Sequence, residues 1–302
     1  MRIPPERLAR IDGEAPSFGF NVSRISLDDK MRRAGTGVRK QIATDHQGSF
    51  AVFEEAVKFM IAFEAFQFER KDRTEECAPF IMMLARCRSD LIAIRHLLLA
   101  GQESSALAIA RVFLEDIELT MATAVSPEFA SRFMDAEAAD AFWSKHIGYG
   151  RIYPYVERFL HLGKQGKKVS AVHVAHHKAM KTFLSEYVHP TFGSAFRLVA
   201  PRAIGHPGHF ANRPMGWFGE IGGSLCLHVA EEVQAFSATC INAFMKPNPP
   251  PALENYKPCK ALETFMRPAH NLQTLLVKYS RRMFSEYEKK STRWTEGGDL
   301  AG

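Results

Sequence analysis

The residues best equipped for chemistry are Arg111, Glu115 and Glu118, which stand at i, i+4 and i+7 in the run 98–125. At 100° per residue they form one narrow stripe of a helix. Leu107, Leu114 and Met121 flank the stripe on one side, Val112 and Leu119 on the other, and Ile109, Phe113 and Ile117 cover the back. No broad polar face is left for water, so the stripe is expected to point into the protein. Arg111 would pair with Glu115 there, and Glu118 would need a partner on another helix. Two readings stay open: an anion or substrate site with Arg111 as cation and Glu115 as base, or a structural ion pair that fixes helix register.

A second group is Ser185-Glu186-Tyr187-Val188-His189-Pro190. Ser185 and His189 share a face at i and i+4, Tyr187 lies between them, and Pro190 fixes the helix end. The dipole favours a cation at a helix C-terminus, so His189 suits an acid or phosphate-binding role, or equally a cap on the last carbonyls. A third group is His173, His176 and His177. His173 and His177 form a face that would offer two metal ligands, but Val174 stands where zinc proteases place their glutamate. The alternative is a solvent-facing histidine cluster. The loop histidines His206 and His209 could complete a metal site only through the fold, and Arg202 and His209 are candidate ligand-binding residues of that loop.

These groups need helices to position them, and helical spacing is what the chain offers. The run 49–70 has Phe53, Val57, Met60 and Ile61 on one side and Glu54, Glu55, Lys58 and Glu64 on the other. Pro79 opens a helix to Ala100, Gly101 closes it as a left-handed cap, and the central helix follows as the second arm of an antiparallel hairpin. Ser126 and Pro127 restart the chain as N-cap and first helical residue of a helix reaching about Lys145. Gly148-Tyr149-Gly150 breaks it, and further helices are expected over 154–162, 168–188 and 224–245. Residues 191–223 mix Pro, Gly, Arg and His in an irregular stretch, of a kind that often carries function. No period-two alternation and no internal repeat are present.

The fold class expected is all-α: an up-and-down bundle with an irregular loop between its later helices. Residues 1–48 form a loosely docked arm with at most a short turn of helix, 49–246 the bundle, 247–258 a stiff Pro-rich connector, and 259–302 a basic helix and tail. A kink or restart is expected at Pro268.

Composition narrows the classes. Twenty-three Phe against three Trp and seven Tyr fits core filling better than ligand stacking. Five cysteines without a Cys-x-x-Cys spacing argue against a disulfide framework and a zinc knuckle. No apolar run nears the roughly 20 residues of a membrane span, and no signal-peptide core opens the chain, so a cytoplasmic location is expected. The net charge is +6, and 257–293 holds nine Lys or Arg against three Glu. That basic segment would suit RNA or an acidic partner, or simply a solvated face.

The stretch GQESSALAIARVFLEDIEL and the later FLSEYVHPT resemble a bacterial all-helical family known as a domain of unknown function. The shared pattern is an Ala-rich helix with Arg-x-x-x-Glu and a later Leu-Ser-x-x-Val-His-Pro, matched by Arg111, Glu115, Leu184, Ser185, Val188, His189 and Pro190 over about residues 80–245. That family is similar in turn to the HEPN group, in which an Arg followed four to six residues later by His cleaves RNA. Arg202 to His209 is the near match here, but Pro207 and Gly208 keep it off a helix. The resemblance thus implies the fold more than the activity. The leading expectation is a ligand-binding or protein-interaction module. The alternatives are a HEPN-like RNA-processing enzyme of toxin or phage-defence type using His189 and Arg111, and a metal-dependent hydrolase using His173 and His177. No cofactor is specified.

Overall fold

The structure is a computed structural model, described here for residues 27–69, 75–163, 167–189, 218–244, 248–253 and 266–278. Arg202, His209, Cys259 and most of the irregular loop and basic tail lie outside these. Among the described residues the chain is all-α, without a strand.

The chain runs α1 (Leu27–Asp45), α2 (Gln47–Glu69), α3 (Ala78–Leu99), α4 (Glu103–Val125), α5 (Pro127–Met134), α6 (Ala139–Phe142), α7 (Tyr153–Leu162), α8 (Lys167–Val188), α9 (Glu220–Phe244) and α10 (266–278). The hairpin of α3 and α4 closes as expected. Gly101 has φ of 74°, Gln102 N–H donates to the Leu97 carbonyl at 2.8 Å, and Gly101 N–H donates to Leu98 at 2.9 Å. Only glycine adopts that left-handed turn without cost, so the hairpin angle is written into one residue. The Ser126 hydroxyl accepts from Phe129 N–H at 3.2 Å and Pro127 fills the first helical position.

Three expectations need correction. The second half of the supposed arm is the 19-residue helix α1, whose Val38 and Ile42 are buried in the core; Gly35, Gly37 and a high charge content dilute its apolar spacing. The helix from Pro127 stops at Met134, and a short α6 and a π-turn at 143–147 replace its continuation. The Pro-rich connector docks: Leu253 is fully buried and Cys77 Sγ lies 3.6 Å from the Pro251 carbonyl. Pro268 lies within the helical residues 266–278, and the residues before 266, on which a kink or restart there depends, lie outside the described ones.

Helix α4 is the hub, packed against α3, α5, α7, α8 and α9. Its Phe113 and Ile117 are fully buried. Phenylalanine fills the adjoining core, where Phe159 and Phe236 stack at 5.3 Å and Phe63 meets Phe236 edge-on at 5.9 Å. Glu103 sets the register of α4 against α9 by accepting from Gly222 N–H at 3.0 Å and from Gly219 N–H. Helices α8 and α9 both pack on α4 and α7, and His173 and His177 of α8 reach Glu232 of α9. No helix among the described residues is long and apolar enough to cross a membrane.

Candidate functional site

A seam of ionisable side chains runs between α4, α8 and α9. On α4 the charged stripe points inward at one end, with Glu118 fully buried and Arg111 and Glu115 partly exposed. On α8 the residues Val174, His177, Lys181 and Leu184 recur at helical spacing, so His177 and Lys181 occupy positions where the pattern asks for apolar groups. On α9 Glu232 stands in the same way among Leu225, Val229 and Phe236. Burying these groups costs several kcal/mol each unless they compensate one another, by rough estimate.

The seam alternates in charge. The Arg111 guanidinium lies 2.8 Å from Glu115 through its terminal nitrogen and donates through Nε to Ser185 Oγ at 3.1 Å. The Ser185 hydroxyl itself donates to the Lys181 carbonyl at 2.7 Å. Lys181 Nζ donates to Glu118 Oε2 at 2.7 Å and lies 3.7 Å from Glu115. Glu118 Oε1 is 2.8 Å from His177 Nε2. On the other side of that ring Nδ1 is 3.0 Å from Glu232 Oε2, which also lies 3.2 Å from His173 Nε2. Tyr153, on α7, closes the seam with its ring edge-on to His177 at 6.5 Å and with Lys178 Nζ 4.3 Å above its face.

The inner contacts run end to end through the interior, with Glu118 Oε1, both ring nitrogens of His177, Glu232 Oε2 and His173 Nε2 in succession. Their electrostatics are strongly coupled. Burial alone would lower the His177 pKa, but the Glu232 charge and the contacts with both glutamates outweigh it and raise it to about 9. Burial would raise both carboxylates, yet His177 and Lys181 hold Glu118 below the ordinary glutamate range, and His177 and His173 do the same for Glu232. Burial, then the Glu118 charge, pushes the Tyr153 phenol up, so it stays protonated.

The structure therefore brings together Arg111, Glu115, Glu118, Ser185, His173 and His177. It leaves Tyr187 packed on Phe183 at 5.5 Å, and His189 exposed at the end of α8 with its amide donating to the Ser185 carbonyl. The solvent-facing alternative for the histidines fails for His177, which is 1% exposed, and holds for His176. Sequence reasoning missed Glu232, Lys181 and Tyr153. For Glu232 and Lys181 the signal was present: a charge in the core-facing slot of an otherwise regular apolar spacing. Tyr153 carries no such signal.

With this geometry in hand, comparison with known proteins adds nothing: no family model, no curated protein and no solved structure matches the chain.

Proposed function

We propose that the protein is a ligand-binding helical bundle, with its binding groups in the seam of α4, α8 and α9. The observation that carries this is a buried chain of four ionisable side chains, Glu118, His177, Glu232 and His173, in successive contacts of 2.8, 3.0 and 3.2 Å. Apolar side chains of similar volume would serve stability at least as well as buried charges. A chain of ionisable groups in core-facing positions therefore favours a binding role. His173 reaches solvent at 17% side-chain exposure, which gives the chain an entry.

A ribonuclease reading has less behind it. The Arg111 guanidinium is engaged by Glu115 and Ser185, which leaves little of its charge for a phosphate.

Thermal unfolding in the presence of small anions, small cations and divalent ions tests the reading. A ligand at a hundred times its Kd stabilises by about 2.7 kcal/mol, a clear rise in Tm. At least one ligand class should raise the Tm saturably in the native chain and lose that effect in Glu232→Gln. Absence of any saturable, seam-dependent shift contradicts the proposal.

A further inference from the structure

Resting on the ligand-binding reading, we infer that the ligand is a single divalent transition-metal ion, held by His173, His177 and Glu232 and oriented by Glu118. Two imidazoles and one carboxylate form a borderline donor set, suited to zinc, iron, cobalt or nickel and poorly suited to magnesium or calcium.

The spacing fits. One ligand atom from each of His173, His177 and Glu232 falls within a common 4.8 Å. Glu232 Oε2 is 3.2 Å from His173 Nε2 and 3.0 Å from His177 Nδ1. Donors about 2.0–2.2 Å from a tetrahedral ion are separated by about 3.3 Å, so both Glu232 contacts already match, and the two histidine donors lie within 4.8 Å of each other. Both histidines come from one face of α8 at i and i+4, and the carboxylate comes from α9, each helix held against α4 and α7.

The surroundings fit as well. A metal-binding histidine commonly offers its second nitrogen to a carboxylate, which fixes the ring and makes it a better donor. Glu118 stands at that nitrogen, 2.8 Å from His177 Nε2, and Lys181 anchors its other oxygen at 2.7 Å. Three protein donors leave a tetrahedral ion one further position, as in sites that bind water or a substrate atom. The partly exposed His173 edge is the way to it.

The same two helices also carry His176, His228 and Glu231, whose potential donor atoms likewise fall within 4.8 Å. Those side chains are 33–52% exposed, and their contacts with Glu231 are 3.6 and 4.0 Å. They serve as an internal control of identical residue types.

The test is titration of the chelator-treated full chain with Co2+, followed by visible absorption and metal analysis, beside His173→Ala and His176→Ala. Expected are one ion per chain with intense tetrahedral d–d bands, loss of both in His173→Ala and retention in His176→Ala. Glu118→Gln should keep the ion with affinity reduced about 10–100-fold. If the native chain takes up no ion, the inference fails whatever the variants do. If the ion survives in His173→Ala, or leaves only with His176, it fails too. A seam-dependent Tm shift with some other ligand and none with a metal overturns this inference while sparing the binding reading; no shift with any ligand overturns both.

Discussion

Two His-His-Glu triplets lie on the same pair of helices, His176 and Glu231 each one residue before His177 and Glu232, with His173 on α8 as the third member of one and His228 on α9 of the other. His173, His177 and Glu232 are locked at 3.0 and 3.2 Å, with His177 and Glu232 nearly inaccessible. His176, His228 and Glu231 are spread along the surface at 3.6 and 4.0 Å, with the His176 and His228 rings 5.2 Å apart. A step of 100° separates His176 from His177 and Glu231 from Glu232, and with it a solvated pair from a desolvated one. Residue type supplies the chemistry; burial decides its strength.

The largest expected effect follows from breaking the inner triplet. Glu232→Ala leaves His177 facing one lost partner in a dry interior, and urea denaturation should show a loss of about 3–5 kcal/mol. Glu231→Ala, its neighbour in sequence, should fall within about 0.5 kcal/mol of the native chain. Equal losses at the two positions would erase the distinction.

Apolar packing sharpens the contrast. Phe236, one turn beyond Glu232, is fully buried against Phe63, Phe80 and Phe159. Phe236→Ala should cost about 3–5 kcal/mol, and unlike Glu232→Ala it should leave the metal stoichiometry intact in the folded fraction.

A smaller effect concerns a third polar cluster, in which two carboxyls face each other beside an arginine. Asp90 on α3 is pushed up to about 7 by burial first and then by Asp116 on α4, while Arg86 pairs with Asp116 at 2.8 Å. The Cys87 thiol beside them stays protonated, since burial pushes it up. A carboxyl raised in the folded state stabilises fully below its ordinary range near 3.8 and loses that contribution as pH rises to about 7. Asp90→Asn should therefore flatten the decline in stability between pH 4 and 7 seen by chemical denaturation. An unchanged slope would remove Asp90 as its source. The smallest effect is at the helix start: Ser126→Ala should cost about 1 kcal/mol by losing the cap on Phe129.

The helices were legible because apolar spacing, Gly101 and Ser126-Pro127 are local signals, each read from a few adjacent residues. Helix α1 was not, since Gly35 and Gly37 thin its pattern and Val38 and Ile42 alone do not make a periodic face. The site was legible by halves. Arg111, Glu115, Glu118, His173 and His177 announce themselves by sharing faces within a helix. Glu232 joins them across the bundle, and no spacing rule says which face of α9 meets which face of α8. Lys181 and Glu232 carried a weaker mark, a charge in a core-facing slot, which signals that a partner exists without naming it.

The most direct measurement of the central claim is X-ray absorption at the zinc edge of the zinc-loaded full chain. The account predicts two imidazole nitrogens and one carboxylate oxygen at about 2.0–2.2 Å, with a light atom as fourth ligand. Sulfur in the shell, which would draw on the buried thiols of Cys77, Cys87, Cys226 or Cys240, or a shell with at most one imidazole, would contradict it.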